Sequence, residues 1–288
     1  LGPVLLAPAF GAAPQDATAG PKLVLAAWLV ALMVLFVQGA CAAGVAGRGL
    51  AWVALGMPLL TSTDVREGAL SGGYLDALVA LLLLLLVNGL ERLRNAADDG
   101  ARRRAQGLVV LAAGALVNTK LEGSVWVAIA LASAWLAGPR RSPVALAAAA
   151  VAVLAVPAVV VYRAAQGEAS LADPALADLG RLVTADVWVA RLPPLLAGLG
   201  GLLLDVSSFG LLPLGVLLVS WHHRRGLDAF PLLLAAALLA FLVVVYITTT
   251  MHLGRHLFTS AHRLVWHWLP AFTVLAARLP LRAARRAA

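Results

Sequence analysis

Three short stretches of this sequence combine residue types that can do chemistry. The first is Gly72-Gly73-Tyr74-Leu75-Asp76, at the head of a leucine-rich run. A carboxylate in the first turn of a helix is favoured by the helix dipole. Asp76 therefore either anchors that helix end or orients a substrate and accepts a proton. The second is Asn118-Thr119-Lys120-Leu121-Glu122-Gly123, with apolar residues on both sides. Ionisable residues at membrane depth are costly and functional candidates by default. Lys120 and Glu122 can neutralise each other at a turn, and Glu122 can also position the Lys120 ammonium for an anionic group. The third is His252-Leu253-Gly254-Arg255-His256, followed by Ser260-Ala261-His262-Arg263. His252 and His256, four apart, could share a helical face and bind zinc, but no third ligand is fixed by the spacing. Arg255, His256 and Arg263 suit a phosphate better, because arginine presents a donor fork to oxyanions; a plain basic belt at an interface is the alternative. His222-His223-Arg224-Arg225 reads as a retention cluster. Gly-rich phosphate loops, CxxC pairs, the G-x-S-x-G elbow and HExxH do not occur, which argues against nucleotide-driven transport and the common hydrolases.

The elements that must hold these groups are apolar. Of 288 residues 62% are hydrophobic and 12% charged, and the mean hydropathy is +0.92. So few polar side chains cannot cover a water-soluble domain of this size, so the excess apolar surface is expected to face lipid. The net charge of +8 does not point to nucleic acid, because the arginines sit in clusters between apolar runs without aromatic residues to stack bases. A single cysteine, Cys41, excludes an internal disulfide framework.

Nine apolar segments are candidate crossings: 22–41, 50–61, 74–90, 107–118, 122–137, 143–162, 206–221, 228–247 and 264–280. Twenty helical residues span about 30 Å, one bilayer core. The pair 107–118 and 122–137 is short and meets at Thr119-Lys120-Leu121, which predicts a hairpin lining a cavity. Fourteen of the 22 basic residues fall in one set of alternate loops, from Arg48 through Arg92, Arg94, Arg102–Arg104, Arg140, Arg141, Arg224 and Arg225 to Arg278, Arg282, Arg285 and Arg286. The positive-inside rule makes that set cytoplasmic. The other side carries ten of the fourteen acids and a long hydrophilic loop over about 163–195. The expected fold is all-α: one polytopic transmembrane helix bundle over residues 1–288, multi-pass in the inner (plasma) membrane, its chemistry facing outward. The chain opens on Leu1 with no signal peptide in view, and its N-terminal stretch is assigned outside, so an upstream crossing is expected.

The run Ser71-Gly72-Gly73-Tyr74-Leu75-Asp76-Ala77-Leu78, the turn Thr119-Lys120-Leu121-Glu122-Gly123 and the stretch Thr248 to Pro270 resemble bacterial members of the glycosyltransferase C superfamily, of the protein O-mannosyltransferase and lipid A aminoarabinose transferase type. In that pattern His256, Thr259, Ser260 and Arg263 match the stretch leading into the last helix, while His262 stands where an aspartate is usual. The resemblance implies an inverting transfer of a sugar from a polyprenyl-phosphate donor, on the outer face, to a glycan, lipid or protein acceptor. It implies catalytic roles for Asp76, Lys120 and Glu122, and donor-phosphate contacts from Arg255, His256 and Arg263. No metal ligand set and no cofactor beyond the lipid-linked donor is assigned, and membrane lipids, not nucleic acid, are the expected surroundings. The family's base is an aspartate in the first outer loop, which would lie upstream of Leu1, so residues 1–288 alone are expected to be inactive. A transporter or a flippase for lipid-linked sugars is the rival reading; it would use midplane charges and often an inverted repeat, whereas the charges here cluster at the outer ends, and a non-catalytic membrane assembly subunit is a third reading.

Overall fold

The computed structural model describes residues 76–119, 121–138, 178–204, 211–249 and 252–287, with Val30, Val34 and Phe209 as isolated positions. Among the described residues all regular structure is helical and there is no strand. The apolar segments 22–41, 50–61 and 143–162 lie outside or almost wholly outside them.

Helix α1 (Asp76–Arg94) opens on an acid and closes on Arg92 and Arg94, so its terminal charges complement its dipole. From Leu78 to Leu90 nearly every side chain is buried. A helix apolar all round has to be enclosed by others, and α1 is the central element. Helix α2 (Asp99–Thr119) returns beside it after a short turn, and α3 (Leu121–Ala137) follows with a break only at position 120. The hairpin expected at Thr119-Lys120-Leu121 is thus present, but its first arm is not short. Asp98 explains the difference: its carboxylate accepts the Ala101 N–H at 2.7 Å and starts the helix eight residues ahead of the apolar run. Arg102, Arg103 and Arg104 then ride on an exposed face.

Gly123 sets how closely the hairpin arms approach. A Cβ there would fall well inside contact distance of the Leu116 carbonyl oxygen, so only glycine lets the backbones of α2 and α3 meet at this point.

The long outer loop expected over 163–195 is corrected in its described part. A 3-10 turn (Leu179–Val183) leads into helix α4 (Ala185–Leu203). Pro193 and Pro194 do not stop the helix because both lie on its exposed face, while Trp188, Leu192 and Leu195 turn inward. Helix α5 (Leu212–His222) is eleven residues, and α6 (Ala229–Thr248) is twenty. Of the described helices, α6 alone is long and apolar enough to cross a membrane by itself. Asp228 caps it by accepting the Phe230 N–H at 3.0 Å. The chain then enters a short helix α7 (Leu253–His256), a π turn (Leu257–Ala261) and the long helix α8 (His262–Ala287).

Helices α1 and α8 run parallel, fastened at both ends. Arg263 and His267 meet Asp76, and fifteen residues farther along both helices Arg278 and Arg282 meet Glu91. At 1.5 Å per residue the two clamps stand about 22 Å apart. The second clamp also takes in Asn88, which accepts from Arg278 at 2.8 Å, and Asp228, which pairs with Arg94 and Arg282 at 3.5 Å each. The arginine-rich turns therefore gather at one end of the bundle. Asp76, Thr119, Leu121, Thr249 and residues 252–263 gather at the other.

Candidate functional site

The end of the bundle opposite the arginines is built around one carboxylate. Asp76 is 4% exposed, in the first turn of α1. Arg263 holds it through one edge of its guanidinium, with Nε donating to Oδ2 at 2.9 Å and Nη2 to Oδ1 at 3.4 Å. His267, one turn on and 1% exposed, donates from Nε2 to Oδ1 at 2.8 Å. An ionised carboxylate only accepts, so the imidazole proton sits on Nε2. A buried charge persists when it is paired and hydrogen-bonded, and Asp76 has both.

The aromatic wall beside this cluster comes from α3, α6 and α8. Trp126 is fully buried and packs edge-on against Phe241, Trp268 and His267, with ring centroids 5.0, 5.3 and 6.0 Å away. Glu122 lies one turn before Trp126 on the same helix, half-buried in the first turn of α3. Lys120 lies outside the described residues.

The π turn shapes the other side. It inserts a residue's worth of rotation between His256 and Arg263, and such insertions commonly re-aim side chains at functional sites. Ser260, inside it, donates to the His256 carbonyl at 2.8 Å and so accepts from the Tyr246 hydroxyl at 2.9 Å. His256 stacks edge-on against Tyr246 and shares a hydrogen bond with the Thr249 hydroxyl at 2.9 Å through Nδ1. His252, which precedes α7, and Arg255 on it are exposed. Among the described residues no three His, Cys, Asp or Glu side chains come together at His252 and His256 or elsewhere.

Thr249 is a hub of a second kind. Its carbonyl accepts from Arg191 Nη1 at 2.6 Å and from Arg181 Nη1. Arg191 Nη1 also reaches the Tyr246 and Ile247 carbonyls at 3.2 and 3.5 Å. These are orphan acceptors at the α6 C-terminus, where a cation is favoured by the dipole.

Of the residues singled out from sequence, Asp76 and Arg263 are in direct contact. Glu122 and His256 stand at the same end, on α3 and α7, and Arg255 is exposed on α7. The Asp76–Arg263 pairing alters the expected division of labour, since Arg263 spends its donor edge on the carboxylate. Sequence reasoning missed His267, Trp126, Tyr246, Arg181 and Arg191. For His267 a signal existed: it lies four residues after Arg263, on the same face of the last apolar segment. No protein family, curated protein or solved structure matches this chain.

Proposed function

We propose that the chain is a multi-pass membrane glycosyltransferase that moves a sugar from a polyprenyl-phosphate donor, with the Asp76 end of the bundle facing outward. The nine apolar segments are its membrane-embedded pieces, and α4 is an additional helix packed against the Asp76 end of α6. The observation that carries this reading is convergence. The described parts of three stretches far apart in sequence, each resembling part of one transferase pattern, lie at one end of the bundle, and two of them touch through Asp76 and Arg263. A buried carboxylate held in fixed orientation by a guanidinium and an imidazole is a preorganised group, and preorganised charge is the largest source of transition-state stabilisation in many enzymes. A membrane cavity suits a donor whose leaving group is a lipid phosphate.

In the natural gene product, Asp76→Asn and Lys120→Ala should each lower sugar transfer from a labelled polyprenyl-phosphate donor by at least about 10²-fold, the scale of losing one electrostatic contact to a transition state. Both variants should accumulate in membranes at normal levels. Undiminished transfer by either would remove that residue from the site.

A carrier is the second reading, and the buried Asp76–His267 pair favours it, because such pairs serve proton-coupled transporters. Reconstituted vesicles separate the two. A transferase yields a sugar-bearing acceptor and free polyprenyl phosphate, whereas a carrier moves its solute with no bond broken.

A further inference from the structure

The guanidinium of Arg191 is used on one side only. All of its hydrogen bonds leave from Nη1, to the carbonyls of Tyr246, Ile247 and Thr249. Its Nε and Nη2 make no bond to any described residue, and no described carboxylate pairs with it. That pair of donors is the same edge with which Arg263 grips Asp76. At Arg191 the edge is held rigid from behind by three carbonyls and offered outward, a geometry matched to two oxygens of a tetrahedral oxyanion.

A second cation stands next to it. Arg181 donates to the same Thr249 oxygen and is itself anchored by Asp178, with Nε to Oδ2 at 2.8 Å, while its Nη2 makes no bond to a described residue. Two guanidiniums on one acceptor repel each other, and Asp178 offsets only one of them. Burial first, and Arg181 second, push the Arg191 guanidinium below its usual range. The α6 C-terminal dipole relieves part of this, being equivalent to about half a charge. It cannot account for the open edge.

We infer that Arg191, with Arg181 beside it, forms a binding site for a phosphate-type oxyanion at the corner between α4 and the C-terminus of α6. Arg191 supplies the fork through Nε and Nη2, and Arg181 adds a point contact through Nη2. The site needs no transferase activity to exist. Its ligand is either the headgroup phosphate of a lipid or a free phosphate, which share the chemistry and differ in the tail.

The natural gene product, purified in a non-ionic maltoside, is titrated with inorganic phosphate and, separately, with dodecyl phosphate in mixed micelles, at constant ionic strength set with chloride. Thermal unfolding reads the binding. Saturable stabilisation is expected. Arg191→Lys, which keeps the charge and loses the fork, should weaken it by about 10-fold or more, and Arg181→Gln should weaken it less. Saturation by dodecyl phosphate alone identifies a lipid headgroup; comparable saturation by both identifies phosphate as such. Absence of any saturable response, or a response undiminished in both variants, overturns the site. Should Arg191→Lys fail to accumulate, Arg181→Gln keeps the three Arg191 bonds to the end of α6 and decides the matter by itself: an unweakened response there excludes the paired site.

Discussion

Asp76 and His267 show what a single pair does at this site and how it can be measured. His267 keeps Oδ1 of a buried carboxylate satisfied, because the Arg263 contact to that oxygen is the long one at 3.4 Å. Stripping a buried acceptor of its partner costs about 1–3 kcal/mol. His267→Ala should therefore lower thermal stability in detergent by about that amount, and His267→Gln, which can still donate an N–H, should recover most of it. Equal losses in the two variants would show that the ring's packing against Trp126, not its hydrogen bond, is what matters. The sequence makes Asp76 and Arg263 visible through their settings, a carboxylate at a helix start and a cation before an apolar run. His267 shares the Arg263 face, four residues on, but the spacing alone does not tell that this face turns toward α1. Arg191 is hidden for a different reason: its partners are backbone carbonyls, which carry no residue signature.

At the scale of elements, legibility follows how the ends are marked. Helix α6 agrees with its expected span to within a residue, since Asp228 caps one end and the apolar run breaks at Thr248. Helix α2 is longer than its apolar run because Asp98 nucleates it within a polar, arginine-rich stretch. The first part of helix α4 reads as loop in the sequence, in a hydrophilic stretch that contains Pro193 and Pro194. A proline removes an N–H bond and crowds the preceding turn, but on an exposed face that loss and any bend point away from the bundle. The α2–α3 hairpin offers a matched test. Gly123→Ala forces the arms apart against the Leu116 carbonyl and should cost at least about 1–3 kcal/mol, as overpacking does. Gly107→Ala, on the exposed face of α2 with nothing within 4 Å of the added methyl, should instead stabilise by about 0.5–1 kcal/mol. Thermal unfolding of the two variants side by side checks both signs, and a neutral Gly123→Ala would contradict the close approach.

For the whole molecule, the parallel α1–α8 pair ties the two ends of the bundle into one frame. At one end Glu91, Asp228, Asn88 and three arginines interlock; at the other Asp76 is held by one arginine and one histidine. The positive-inside rule would put the arginine-rich end in the cytoplasm. With Cys41 replaced, single cysteines at Ser170 and Ser142 should respond oppositely to an impermeant thiol reagent on intact cells, the first labelled and the second protected; the reverse pattern would invert the orientation. The central claim is sugar transfer at the Asp76 end on the outer face. It is tested most directly by adding a short-chain polyprenyl-phosphate sugar to sealed right-side-out and inside-out vesicles carrying the natural gene product or its Asp76→Asn variant. The account predicts acceptor labelling in the right-side-out vesicles, falling about 10²-fold in the variant, and little in the inside-out ones. Equal labelling in the two orientations, or undiminished labelling with Asp76→Asn, would contradict it.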